Sequence, residues 1–317
     1  MSNDGSRSIV GRSSARRFNM HRHLIAVSGA LALAAALMPQ AGASQDSEWS
    51  AAVNLGSGIN SSSADAGPAI SENGLTMYFN SSRFGGFGDA DIYVARRETI
   101  DAPWDWPVNL GPFINTAFFE GFPTLSRDEH HLFFVSPRAT GTADIWMSYR
   151  RDTEDDFAWE PPALLGPSIN TTAADHGPGY FDNRKLGLPQ LYFHSNRPGG
   201  PGSNDIYVAD AFGPAVLVAE LSSPQVDARP AISRNGLEIF FHSNRPGSIG
   251  GFDMWSSVRK SVFEPWSSPE NLGDTVNGGF DDFIAAISSD GETLFFTSTR
   301  PEGFGSNDIY MTTRIKP

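Results

Sequence analysis

The sequence predicts an all-β fold, a five-bladed β-propeller of four-stranded blades, and three observations carry that prediction. One polar and aromatic pattern recurs five times, and each copy holds a pair of adjacent aromatics flanked by short turn signals. Gly and Pro are abundant, 32 and 22 among 317 residues, with 12% aromatic residues and no cysteine. That composition suits a turn-rich β body better than a helical enzyme.

Residues 1–43 stand apart. Arg12, Arg16, Arg17 and Arg22 precede an apolar run from Leu24 to Leu37, which ends in Ala41-Gly42-Ala43. This order of basic, apolar and small residues is that of a cleaved secretory signal, and the run is shorter than the roughly 20 residues that span a bilayer. Arg16-Arg17 hints at the twin-arginine route, although a start at Met20 would remove the pair. The segment carries five Arg and one Asp, so the remainder holds 18 basic against 35 acidic residues, a net of −17 against −13 for the whole chain. Residues 44–317 are expected to form one soluble, exported propeller domain, periplasmic or secreted. Without cysteine there is no disulfide, thiolate metal site, Cys nucleophile or lipid anchor on a cysteine. The acidic balance excludes nucleic acid, whose phosphates need clustered Lys and Arg. No membrane insertion is expected, and the protein is read as a monomer.

The repeat units run over about 48–103, 104–158, 159–215, 216–265 and 266–317. Each opens on a strand D: Trp49, Trp104, Trp159 and Trp266 each stand six residues before a Leu-Gly pair, and the fourth unit has lost both. Strand A starts at a recurring acid and passes Pro68, Pro123, Pro178 and Pro230 to turns such as Asn73-Gly74, Asn235-Gly236 and Asp290-Gly291. Strand B carries Tyr78-Phe79, Phe133-Phe134, Tyr192-Phe193, Phe240-Phe241 and Phe295-Phe296. Neighbours on a strand point to opposite faces, so both faces of the sheet must be covered, as they are between propeller blades. Strand C begins at Asp91, Asp144, Asp205, Asp253 and Asp308, each followed by Ile or Met and an aromatic. The chain opens on a D segment and closes on a C segment, so the N-terminal strand is expected to complete the last blade and remove the open edges.

Three polar positions recur in every unit. The acids opening strand A are Asp65, Glu120, Asp175, Asp227 and Asp282. Arg83, Arg138, Arg245 and Arg300 follow their acids by 18 residues, and Arg197 follows by 22 because of an insertion near Lys185–Leu188. With strand C antiparallel to B, acid, arginine and the Asp opening strand C meet at one end of the blade. The arginines and the strand C aspartates are read as a structural clamp, with each arginine between two carboxylates. Each cluster is net −1, so the five acids are also candidate ligand-binding groups on the channel rim. Ser81, Ser136, Ser195, Ser243 and Ser298 recur two residues before the arginines. No metal site, cofactor or catalytic residue is assigned. His194 and Ser195 point to opposite faces and cannot pair, while His194 and His242 are read as packed or hydrogen-bonded. Asp281-Asp282 and Asp175-His176 depart from the repeat and would be the first places to seek catalytic carboxylates.

The run Ser195-Asn196-Arg197-Pro198-Gly199-Gly200 leading to Asp205-Ile206-Tyr207, with the Trp…Asn-Leu-Gly…Ile-Asn segments, resembles the TolB-type WD-like propeller repeats of bacterial envelope proteins over roughly residues 48–315. The chain shows neither the N-terminal α/β domain of TolB nor an OmpA-like domain, so the fold is expected to transfer and a Tol-Pal or peptidoglycan role is not. The functional expectation is a non-catalytic binding module recognising a protein or polysaccharide, such as an envelope component, through rim loops. Phe84, Phe87, Phe118, Phe119 and Phe304 are candidate contacts. The alternative is a carbohydrate-active enzyme, hydrolase or lyase, using carboxylates in the central funnel.

Overall fold

A computed structural model of the protein describes residues 49–315; the expected signal segment lies outside the described residues. These contain twenty strands and no helix. Blade I is β2 (Asp65–Ile70), β3 (Thr76–Ser81), β4 (Asp91–Arg96) and β5 (Val108–Asn109), antiparallel and in that order from the axis outwards. Blade II repeats this with β6 (Gly121–Leu125), β7 (His131–Ser136), β8 (Asp144–Tyr149) and β9 (Ala163–Leu164). In blade III, β10 (Asp175–Asn183) and β11 (Leu188–Ser195) are lengthened by the insertion, and β12 (Asp205–Asp210) and β13 (Val216–Leu217) follow. Blade IV is β14 (Asp227–Ile232), β15 (Glu238–Ser243), β16 (Asp253–Val258) and β17 (Glu270–Asn271). Blade V has β18 (Asp282–Ile287), β19 (Thr293–Ser298) and β20 (Asp308–Thr313), and its outermost strand is β1 (Val53–Asn54) from the start of the described chain. Val53 pairs with Met311 and Asn54 with Tyr310, which closes the ring as expected.

The inner strands β2, β6, β10, β14 and β18 are neighbours all the way round and surround the axis. Apolar residues fall into five clusters, one per blade interface. The paired aromatics of strand B divide between them: Tyr78 packs toward blade II and Phe79 toward blade V, both with no exposed surface. A fully buried Phe contributes about 1.5–3 kcal/mol, so this pairing ties each blade to two neighbours.

Strand D holds only two residues, and an asparagine extends it. The Asn115 side chain accepts from Ile92 N–H at 2.8 Å and donates to Ile92 O at 3.0 Å, standing in for one more residue of strand. Asn60, Asn170 and Asn277 do the same to Ile309, Ile145 and Met254. In the fourth unit Ser222 takes the place, accepting from Ile206 N–H at 3.2 Å.

Every inner strand also bulges two residues after its recurring acid. The registers slip between Ala66 and Ala69 and at the matching points of the other blades. The bulged residue has positive φ: Gly67 and Gly177, but also Phe122 (58°), Arg229 (58°) and Ile284 (57°). Side chains rarely tolerate that region, and a β-branched residue least of all. In four of the five blades the freed N–H of the bulge points to the preceding blade, where a strand B side chain receives it. Phe122 donates to Asn80 Oδ1 (3.1 Å), Gly67 to Thr297 Oγ1 (3.1 Å), Arg229 to His194 Nδ1 (3.3 Å) and Ile284 to His242 Nδ1 (3.3 Å).

Candidate functional site

The five recurring acids have no exposed surface. In blade I, Asp65 accepts from Arg83 Nη2 at 2.6 Å and from the N–H and hydroxyl of Ser61 at 2.5 and 2.7 Å. Arg83 also donates to Ile59 O and to Ser81 Oγ, with its guanidinium over the Phe79 and Tyr93 rings. The same contact joins Arg138 to Glu120 (3.1 Å), Arg197 to Asp175 (2.5 Å), Arg245 to Asp227 and Arg300 to Asp282 (3.1 Å). Burial raises the Asp282 carboxyl above its ordinary pKa, while Ser298, Gly278 and Arg300 oppose that shift. The carboxylates expected to edge the rim thus offer it no accessible surface. Each arginine meets one carboxylate rather than two, because the strand C aspartates face the other way. Asp91 accepts from Phe87 N–H and Asn109 Nδ2, Asp253 from Ile249 N–H and Asn271 Nδ2, and Asp308 from Phe304 N–H and Asn54 Nδ2. Asp205 accepts from Gly202 N–H and Asp144 from Thr140. All five hold the B–C loops, and Asp91, Asp253 and Asp308 also fasten them to the outer strands.

A second arginine set lies outside the three recurring polar positions. Arg97, Arg150, Arg259 and Arg314 lie over the repeat tryptophans Trp104, Trp159, Trp266 and Trp49 at 4.1–4.5 Å, and their Nε atoms bond turn carbonyls between strands A and B. Each stands six residues after its strand C aspartate, a spacing that was available in the sequence. Blade III has Ala211 there, and the following unit lacks the opening strand D tryptophan, so both partners are missing together.

What remains for ligand recognition is the channel and the loop face. Two adjoining cavities of about 120 and 110 Å³, which share five lining residues, lie on the axis, each lined by all five inner strands. The outer one opens at the strand A ends, where Glu72, Arg127, Asp182 and Arg234 gather. Arg234 meets Glu72 at 2.8 Å, and Arg127 lies 3.8 Å from Glu72 and 4.0 Å from Asp182. Among the described residues Glu72 and Asp182 are the only carboxylates lining either cavity, and both are ion-paired.

Deeper in, Arg229 reaches from blade IV across the axis, past Gly177 of blade III, to lie 4.3 Å over the Phe122 ring of blade II. It is 6% exposed. Burial alone lowers its pKa to about 9, and no acid pairs with it among the described residues. Beyond it stand His176, His194 and His242, with the His176 and His194 rings stacked at 5.2 Å. Burial is the largest cause that pulls His242 down to about 3, His176 to about 4 and His194 well below the ordinary value, with Arg229 adding to each shift. His194 and His242 are hydrogen-bonded, as expected. Asp281, singled out beside Asp282, accepts from Phe252 N–H at 2.9 Å. No group of three metal-ligating side chains is placed to hold an ion among the described residues.

On the loop face, Phe84 (105%), Phe304 (51%), Phe87 (50%), Phe118 (49%), Ile249 (47%) and Phe280 (45%) are exposed. Phe119, expected with them, turns inward against Phe122 at 5.2 Å.

No protein-family model matches the chain, and no curated protein sequence does. Solved structures do. A thermostable family-43 glycoside hydrolase superposes with a TM-score of 0.57 at 12% identity, over 80% of this chain and 90% of its own. The α-L-arabinofuranosidase PaAbf62A from Podospora anserina gives 0.55 at 12% identity, over 85% and 97%. TolB from Acinetobacter baumannii gives 0.48 at 14%, over 78% of this chain and 54% of its own. At these identities the likeness is one of fold, and it places the chain among the β-propellers.

Proposed function

We propose that the protein is an exported, monomeric, non-catalytic binding module that recognises a protein or envelope glycan through its loop face. The observation that carries this reading is the collection of exposed aromatics on that face. Phe84, Phe87, Ile249 and Phe304 come from B–C loops, and Phe118 and Phe280 from the loops entering strand A. All lie at the same end of their blades, and exposed apolar groups gathered on one face of a soluble protein mark an interaction surface. The carbohydrate-active alternative has the fold of the arabinofuranosidase and glycoside hydrolase neighbours in its favour. It lacks free channel carboxylates, since Glu72 and Asp182 are both held by arginine.

The test uses residues 44–317, envelope extracts and a polysaccharide panel that includes arabinose-bearing xylans. Retention of an envelope protein or a glycan by wild type, lost in Phe84→Ser/Phe87→Ser/Phe304→Ser with an unchanged melting temperature, is the expected result. Release of reducing ends, or retention undiminished in the triple variant, overturns the proposal.

A further inference from the structure

We propose that the channel, entered from the Arg127–Arg234 mouth opposite the loop face, is a binding pocket for a small carboxylate, with Arg229 as the anchor for the anion. Three features of the channel converge on it.

The first is an unanswered cation. Arg229 is buried, its Nε–H has no hydrogen-bond partner, and the one polar contact of its side chain among the described residues is Nη1 to Phe122 O at 3.5 Å, the limit of a hydrogen bond. A buried guanidinium without a counter-charge is costly, and its planar fork fits a carboxylate with two parallel bonds.

The second is the path its side chain takes from the recurring bulge. Arg229 occupies the bulge at φ 58°, where blades I and III have glycine, and a Cβ on Gly177 would collide with Arg229 Cδ. A strained arginine laid through a gap left by a glycine is not what simple core filling requires.

The third is the shape and polarity of the approach. The two cavities share Ile70, Leu125, Tyr180, Ile232 and Ile287, which stand at the level between mouth and anchor while their side chains pack into the blade interfaces. Deeper in, small residues such as Ala69, Gly179, Ala231 and Ala286 line the inner cavity, whose surface is mainly polar. A small anion matches a narrow polar channel with a charged floor. The neighbouring histidines stay neutral, since burial and Arg229 itself hold their pKa values down, so the floor carries a single positive charge. One charge suits a monoanionic carboxylate better than a phosphate dianion. At the mouth, Glu72 and Asp182 are balanced by Arg127 and Arg234 and set no net repulsion against entry.

The carboxylate could belong to a free short-chain acid or to the C-terminus of a peptide, and the experiment separates the two. Melting of residues 44–317 is followed at constant ionic strength with acetate, butyrate and hexanoate, with butanol, butylammonium and inorganic phosphate as controls. A further pair of arms uses an acetylated dipeptide with a free or an amidated C-terminus. A saturable rise in melting temperature of several degrees with the unbranched acids, or with the free-terminus peptide alone, is expected, and the controls should leave it unmoved. Arg229→Gln and Ala286→Phe, which fills the channel without changing its charge, should each abolish the rise. Should neither variant fold, the Arg229 Nε–H resonance of ¹⁵N-labelled wild type must shift on titration with butyrate. No rise with any carboxylate, a rise undiminished in Arg229→Gln, or a static Nε–H resonance overturns the proposal.

Discussion

His194 and His242 work as acceptors, each receiving the N–H of a bulged residue in the next blade through Nδ1. The ring proton therefore sits on Nε2, and a doubly protonated ring could not hold the bond. Their pKa values lie below that of the unfolded chain, about 6.5, so unfolding takes up protons as the solution turns acid and stability falls with pH. The window for His242 runs from pH 6.5 down to about 3. The groups that face it are Arg229, the Phe252 and Phe283 rings and the Ile284 N–H; those facing His194 are His176, His242 and Arg229. Between pH 6.5 and 5, where most carboxylates stay ionised, each histidine should contribute a slope that rises from about 0.7 to about 1.4 kcal/mol per pH unit. His242→Asn places there the residue that Asn80 supplies in blade I. Urea unfolding of that variant at pH 5, 6 and 7 should show the wild-type slope reduced by up to one proton, whereas an identical slope in both would mean the ring titrates as freely in the fold as out of it.

Strand elements were legible in the sequence because each carries a physical necessity at fixed spacing: paired aromatics for a sheet covered on both faces, an acid and an arginine to join its ends. The bulge was not legible. Nothing in Phe122, Arg229 or Ile284 announces positive φ, since the glycine that would signal it stands only in blades I and III. For the same reason Arg229, the centre of the channel, gave no sign in a reading that followed recurrence; a residue that breaks the repeat at a position of Gly was the available clue. Recurrence also suggested rim carboxylates, but the direction of the strand C aspartates, away from the arginines and into the B–C loops, needed coordinates. The clamp itself has a measurable weight. Arg245 is 11% exposed while its partner Asp227 has no exposed surface, so Arg245→Ala strands a buried carboxylate. Losing one member of such a pair costs about 3 kcal/mol. Arg245→Lys keeps the charge but not the simultaneous bonds to Asp227, Ser243 and Leu221 O, and should recover only part of that. Equal stability of wild type and Arg245→Ala in guanidinium titration would mean the acid is satisfied by its backbone donor, Ser223 N–H, alone.

At the scale of the molecule, stability rests on a ring whose last joint is made by the least of its strands. β1 contributes two residues of pairing, yet its neighbourhood does more than fill an edge. Trp49 packs edge-on against Phe240 of blade IV at 5.9 Å and lies beneath Arg314, which also bonds Glu238 of blade IV at 2.7 Å. Asn60 extends the joint to Ile309, and Ile59 O receives Arg83 of blade I. The segment from Trp49 to Asn60 therefore connects blades IV, V and I, and its loss would expose the β20 backbone and open the ring at two interfaces. Removing residues 44–58 should convert one cooperative unfolding transition into a broad one at lower temperature, with soluble aggregates on size exclusion. Trp49→Ala separates packing from pairing: it leaves Val53 and Asn54 in place and should lower the melting temperature without aggregation. If the truncated chain melts as sharply as the full one and stays monomeric, blades I and V hold each other through β2, β18 and β19 alone, and the N-terminal strand is an ornament on a ring already closed.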